Sequence, residues 1–208
     1  MPTGIATHPE LYQDWESTYP DWMDRAAMGR VWYLECWARA RMGDADGMVE
    51  SLRRVIDEGR RNDYYWRERY YPDPNGGYVG GGAEQYCEYP ANLIRIVQRF
   101  LMGVEYRLDG GLNLAPTVPA HWWDSGFGQT LRWRGQSLDY RMQFETIFGD
   151  FHGVDRLRLA CKLSSGDLKQ SAQVFINGNR KIVAVEKDTV EIELPAVSGG
   201  CHFEIELR

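Results

Sequence analysis

Apolar positions recur with a helical period over the first half of the chain and with a strand period over the second. In "DWMDRAAMGRVWYLECWARARMGD" Met23, Ala27, Val31, Leu34 and Ala38 repeat at three and four, predicting a helix from about Asp21 to Met42. Trp32, Cys36 and Trp37 add apolar character off that stripe, so burial on more than one side is expected. Gly43 is the expected stop. A second helix is predicted from about Asp46 to Arg60. Met48, Leu52, Val55, Ile56 and Gly59 share one face, and Glu50, Arg53, Arg54 and Asp57 the other. The short "GDAD" link makes the two an expected helical hairpin. Pro90 opens a third helix, where its missing N–H costs nothing. Leu93, Ile94, Val97, Phe100, Leu101 and Val104 fall on one face, and "DGG" at 109–111 is the predicted end.

Residues 63–89 carry no clean period and are rich in Gly, Pro and aromatics, which predicts a long loop. From Leu112 the period becomes two. "TLRWRGQSLDYRMQF" reads as a hairpin around Gly135, with Leu138, Tyr140, Met142 and Phe144 alternating. "RLRLACKL" alternates at Leu157, Leu159, Cys161 and Leu163. Asn177-Gly178 is a strong hairpin-turn signal. About seven short strands are expected, as an antiparallel β-sandwich. The predicted fold class is α+β: a short N-terminal helical segment of about three long helices over 1–111, then a β-sandwich over 112–208.

Composition narrows the partners. The 208 residues suffice for one domain or two small ones, and 43% hydrophobic with 26% charged residues describes an ordinary globular chain. The net charge is −6 and the basic residues are scattered, so no nucleic-acid partner is expected. No apolar run approaches the roughly 20 residues of a membrane helix, so no membrane partner is expected either. The N-terminus lacks the basic start and apolar core of a signal peptide. Cys36, Cys87, Cys161 and Cys201 are far apart, with no zinc-type spacing, and read as free thiols in a reducing, cytoplasmic setting. "GGYVGGG" is not followed by GK[ST], so it is not a phosphate loop, and no cofactor is expected.

The candidate chemistry lies in "NDYYWRERYYPDPNGGYVGGGAEQYCEYPAN". Glu84 and Glu88 are the candidate catalytic carboxylates. Inverting glycoside cleavage needs two such groups about 6.5–9.5 Å apart, one acid and one base. On a helix two glutamates four apart share one face, but Pro90 puts both in or just before the loop end. Trp66, Arg67, Tyr70, Tyr71, Tyr78, Gln85 and Tyr86 are the candidate substrate-binding residues. Ring faces can cover the apolar C–H faces of sugars, and polar neighbours can bind hydroxyls. The plain alternative is that the eight rings of this stretch, Tyr64, Tyr65 and Tyr89 included, fill a core, and that the glutamates cap a helix or pair with bases.

The order of elements and the segment from Gly103 to Gly135 carry a resemblance. Gly111, Leu112, Leu114, Pro116, Val118, Pro119 and Trp122, then Arg134 and Gly135, resemble the C-terminal end of the six-hairpin (α/α)-barrel glycosidases and related disaccharide phosphorylases. In that superfamily the last barrel helix runs into such a segment, and a β-domain follows. "AEQY" at 83–86 is similar to the glutamate loop of glucoamylases and trehalases. The resemblance implies that the helices are a partial barrel, that Glu84 is the general base of an inverting mechanism, and that the ligand is a carbohydrate.

A twelve-helix barrel needs at least roughly 200 residues before its sandwich, and only 111 precede this one. The general acid is therefore expected outside this sequence, and the chain alone is expected to be inactive or weakly active. The same shortage of helices predicts a homo-oligomer or pairing with a complementary helical chain. The alternatives to a glycosidase part are a carbohydrate-binding module and a helix-mediated interaction module.

Overall fold

The computed structural model describes residues 26–73, 75, 77–144, 146–153, 156–162, 171–184, 186, 189–195 and 200–207. The expected helix start at 21–25, with Met23, and the strand position Leu163 lie outside them. Contacts divide the chain into two compact units, one ending at Val97 and the other starting at Gln98. The fold is α+β, with a β-rich, sandwich-like portion.

In the first unit the described order is β1 (Ala27–Met28), α1 (Gly29–Met42), α2 (Ala45–Arg61), β2 (Arg67–Pro72), β3 (Tyr78–Glu84) and α3 (Glu88–Ile96). Gly43 ends α1 in the left-handed conformation, at φ 73°. Asp44 then caps α2, its carboxylate accepting from Gly47 N at 3.0 Å. α2 buries Met48, Leu52, Val55 and Gly59, the predicted face, with Ile56 half-buried.

α1 departs from its expected stripe. Ala27 belongs to β1, and Leu34 is 58% exposed, while Gly29, Trp32 and Cys36 are buried. The polar contacts of Trp32 fix that face: its indole N–H donates to Ser51 Oγ at 3.1 Å. Glu35 Oε1 in turn accepts from Arg39 Nε at 2.9 Å.

The stretch 63–89, expected as a loop, holds a strand pair instead. β2 pairs antiparallel with both β1 and β3. Its alternation was hidden because β3, "YVGGGAE", has glycines where apolar side chains would signal a strand. Those glycines make room for the side chains of β2. A Cβ at Gly80 would lie 2.5 Å from Arg67 Cγ, one at Gly81 2.8 Å from Tyr71 Cε2, and one at Gly82 2.5 Å from Glu68 Oε2. Gly82, at φ 73°, sits in a bulge where it and Ala83 oppose Glu68.

The third helix is also shorter than expected. α3 passes into a π-helical turn over Val97–Leu101, and the chain is a strand by Val104. Tyr89, Asn92 and Ile96 are buried on α3 at three-and-four spacing, but on a face rotated from the expected one, so Ile94 is 66% exposed.

The second unit contains β4 (Val104–Tyr106), β5 (Leu112–Leu114), the short helix α4 (Ala120–Ser125) and then β6 (Phe127–Trp133), β7 (Gln136–Gln143) and β8 (Thr146–His152). β9 (Arg156–Lys162), β10 (Ser171–Ile176), β11 (Asn179–Ala184), β12 (Thr189–Pro195) and β13 (Cys201–Leu207) complete it. "DGG" at 109–111 turns the β4–β5 hairpin rather than ending a helix.

One sheet has six strands in the order β11-β10-β13-β8-β7-β6, the other four in the order β12-β9-β5-β4. Both predicted hairpins are present, at Gly135 between β6 and β7 and at Asn177-Gly178 between β10 and β11. All pairings in these sheets are antiparallel except β5 with β9, which is parallel. Leu138, Tyr140 and Met142 from one sheet and Leu157, Leu159 and Cys161 from the other enter a single core. Each such side chain contributes up to about 1.5–3 kcal/mol when fully buried. Phe144 leaves the pattern: it follows the end of β7 at φ 46° and is 67% exposed.

Candidate functional site

Glu84 is the last residue of β3 and stands directly across from Arg67 of β2. Both of its oxygens are held. Arg67 Nη1 donates to Oε1, and the Tyr65 hydroxyl donates to Oε2 at 2.8 Å. Arg67 is itself oriented by a second bond, from Nη2 to Gly82 O at 3.0 Å. The flat course of Arg67 across β3 depends on the missing Cβ at Gly80. The Glu84 side chain nonetheless remains 63% exposed. The Tyr65 hydrogen bond, and then the Arg67 charge, hold its carboxyl below the usual carboxylate range.

The chain reaches this arrangement through left-handed backbone at non-glycine residues. Asp63 (φ 49°) and Tyr64 (φ 56°) bring Tyr65 back from the end of α2, and Gln85 (φ 49°) turns the chain away just after Glu84. Tyr64 N donates to Gly59 O at 2.7 Å and Tyr65 N to Asn62 O at 2.8 Å, which anchors the turn on α2.

Glu88 lies elsewhere in the local structure. It is the first residue of α3, half-buried, with its Cγ over Gly29, where a Cβ would come within 2.8 Å. Its Oε2 is buried without a hydrogen-bond partner. The two glutamates therefore do not share one helical face: one ends a strand and the other starts a helix.

The aromatic residues separate into two groups. Trp66 (7% exposed) and Tyr70 (2%) are core residues. Trp66 stacks on the buried Tyr89 at 5.2 Å and 15°, Tyr89 stacks on Trp32 at 5.9 Å, and Tyr70 meets both Trp66 and Tyr89 edge-on. A missing Cβ at Gly59 lets the Trp66 ring approach α2. The Tyr70 hydroxyl accepts from Arg67 N at 3.0 Å, so this core also supports the site residue. Tyr71, Tyr78 and Tyr86 are half-buried, and Tyr65 and Gln85 are exposed.

Tyr65 is the residue that sequence reasoning underweighted. It appeared there as one ring among eight, and no spacing rule links it to a glutamate 19 positions away. Among the described residues no group of three or more His, Cys, Asp or Glu side chains could hold a metal ion. No described helix is long and apolar enough to cross a membrane.

No protein-family model matches the chain, and no curated protein matches it. Solved structures do. An α-L-rhamnosidase from Dictyoglumus thermophilum is similar over 61% of this chain and 15% of its own, at 11% identity and TM-score 0.39. A GH127 β-L-arabinofuranosidase from Geobacillus stearothermophilus is similar over 59% of this chain and 19% of its own, at 15% identity and TM-score 0.38. A GH30 endoxylanase from Clostridium papyrosolvens is similar over 38% and 22%, at 9% identity and TM-score 0.28. All three are glycoside hydrolases, and the chain spans less than a quarter of the length of each.

Proposed function

We propose that the chain is a glycoside hydrolase-like protein in which Glu84 is the carboxylate that meets a carbohydrate, as the general base of an inverting cleavage. One observation carries this reading: a carboxylate gripped at both oxygens, by Tyr65 and Arg67, yet 63% exposed. A general base must be ionised, oriented and open to the water it activates. Exposed Gln85 and half-buried Tyr86 follow it directly in sequence and offer amide and hydroxyl groups to a sugar, while half-buried Tyr71 and Tyr78 lie toward the other end of the same strand pair. Glu88, with one unpartnered oxygen, is the second carboxyl group offered by this stretch. The general acid is assigned to sequence outside this chain, and activity of the chain alone is accordingly weak or nil.

The test is binding and turnover on a panel of oligosaccharides and aryl glycosides, with hydrolysis and phosphorolysis both assayed. Glu84→Gln is expected to weaken oligosaccharide binding about ten- to hundred-fold, the loss of a hydrogen bond to a charged group. Where turnover is measurable, it is expected to fall by about 10²–10⁴. The melting curve is expected to stay close to that of the parent, because Glu84 is on the surface. Equal binding by parent and variant would sink the reading.

A second reading, helix-mediated association, has its own support. Leu34 (58% exposed), Trp37 (44%) and Ile94 (66%) are large apolar residues open on α1 and α3. Association of copies, or with a complementary helical chain, would cover them. Mass in solution, measured on the same samples, is expected to exceed that of one chain, and a monomer at all concentrations would remove self-association.

A further inference from the structure

We propose that Tyr65 is a positioning residue, whose hydroxyl fixes the Glu84 carboxylate in the orientation that meets a carbohydrate hydroxyl or a water. The inference rests on the reading of Glu84 given above.

The chain departs from ordinary backbone on both sides of the Tyr65–Glu84 contact. Asp63 and Tyr64 are consecutive non-glycine residues at φ 49° and 56°, and Gln85 is a third at φ 49°. Such conformations are unfavourable for L-residues and persist only where the surroundings enforce them. Here they serve to carry Tyr65 from the end of α2 to the end of β3. The turn is anchored by hydrogen bonds to Gly59 and Asn62. It is also fitted to its place, since a Cβ at Gly59 would come within 3.0 Å of Tyr64 Cδ1.

The turn seats Trp66 in the core, and it also delivers one hydrogen bond, 2.8 Å long, between two exposed groups: Tyr65 is 41% exposed and the Glu84 side chain 63%. An exposed polar contact of this kind adds little to stability. A strained, anchored turn that ends in an exposed hydroxyl is built for placement of the carboxylate. Without it Glu84 would be held by Arg67 at one oxygen alone and free to rotate.

The other charged groups on the neighbouring elements are engaged elsewhere. Glu68 of β2 pairs with Arg69 at 3.1 Å and with Arg30 of α1 at 3.9 Å, and it accepts from Ala83 N at 3.2 Å. Glu88 is on α3, over Gly29. The groups that depress the Glu84 carboxyl are thus Tyr65 first and Arg67 second. A carboxyl lowered in this way stays charged as pH falls until its own midpoint is reached. Removing Tyr65 raises that midpoint.

The experiment is a pH titration of the Glu84 side-chain carboxyl by carbon-13 NMR, in the unliganded protein, for the parent, Tyr65→Phe and Tyr64→Phe. The neighbouring exposed ring serves as control. In Tyr65→Phe the Glu84 midpoint is expected to move up, and in Tyr64→Phe to stay. Oligosaccharide binding by Tyr65→Phe is expected to weaken roughly three- to tenfold at neutral pH, with its acid limb displaced to higher pH. An unchanged Glu84 midpoint in folded Tyr65→Phe overturns the positioning role. A raised midpoint with no oligosaccharide binding by the parent leaves the hold of Tyr65 on Glu84 standing and removes the carbohydrate reading.

Discussion

Replacing Trp32 by alanine is expected to lower the stability of the first unit by about 3–5 kcal/mol. Trp32 is fully buried, stacked on Tyr89, and donates to Ser51 on α2. Truncation therefore opens a large cavity between α1, α2 and α3 and takes the indole partner from Ser51. The stack continues from Tyr89 to Trp66, so the loss would reach the residue next to Arg67. Measured against the roughly 5–15 kcal/mol that holds a typical domain together, the effect would leave this unit marginal. Urea unfolding followed by far-UV circular dichroism checks the size. Hydrogen exchange on α1 and α2 locates it. Trp32→Phe keeps a ring but loses the N–H bond and is expected to cost less, about 1–2 kcal/mol. A Trp32→Ala loss below about 1 kcal/mol would mean that the stack does not organise this unit.

Gly103→Ala is the corresponding weak point of the second unit. Gly103 has φ 73°, and a Cβ there would lie 2.1 Å from both the carbonyl carbon of Ala115 and the nitrogen of Pro116. Those are backbone atoms, so no rotamer change relieves the clash. The contact is close because Gly103 O accepts from Ala115 N at 2.7 Å. The left-handed conformation costs an alanine about 1–2 kcal/mol by itself, and moving two backbone segments apart adds to it, for an expected total of about 3 kcal/mol or more. Gly110→Ala separates the two causes. Its φ is 82° and nothing lies within 4 Å of the added Cβ, so about 1–2 kcal/mol is expected. Equal losses in the two variants, read from urea midpoints, would show that sterics at Ala115–Pro116 play no part.

What could be read from the sequence divides along physical lines. The β6–β7 and β10–β11 hairpins were legible because their turn residues, Gly135 and Asn177-Gly178, act locally, and β7 and β10 carry the buried apolar residues beside them. The buried face of α2 was legible for the same reason. On α1 hydrophobicity alone was a poor guide. Leu34 fits the apolar stripe yet is exposed, and Trp32 is buried through a stacking partner and a hydrogen-bond acceptor that lie 57 and 19 residues away. β2 and β3 were missed because glycine carries no hydropathy signal, although glycine is what lets the two strands pair with long side chains between them. The end of the third helix was overrun because Val104 falls in phase with the helical stripe although it is buried as the first residue of β4. Of the candidate site, Glu84, Arg67 and the neighbouring rings were visible as residue types. Which rings are core and which are open, and that Tyr65 grips Glu84, depends on three left-handed residues that have no sequence signature.

The three glycines of β3 have a further consequence, for how this chain can change over generations. Each is matched to one side chain of β2: Gly80 to Arg67, Gly81 to Tyr71 and Gly82 to Glu68. A side chain gained at one member of a pair must be answered by a smaller one at the other, so the members are expected to drift together rather than singly. Gly80 is tied through Arg67 to Glu84 as well. A lineage that abandoned Glu84 would release Arg67, and then Gly80, from constraint. The order in which these three positions decay would be a historical record of when the carboxylate lost its use.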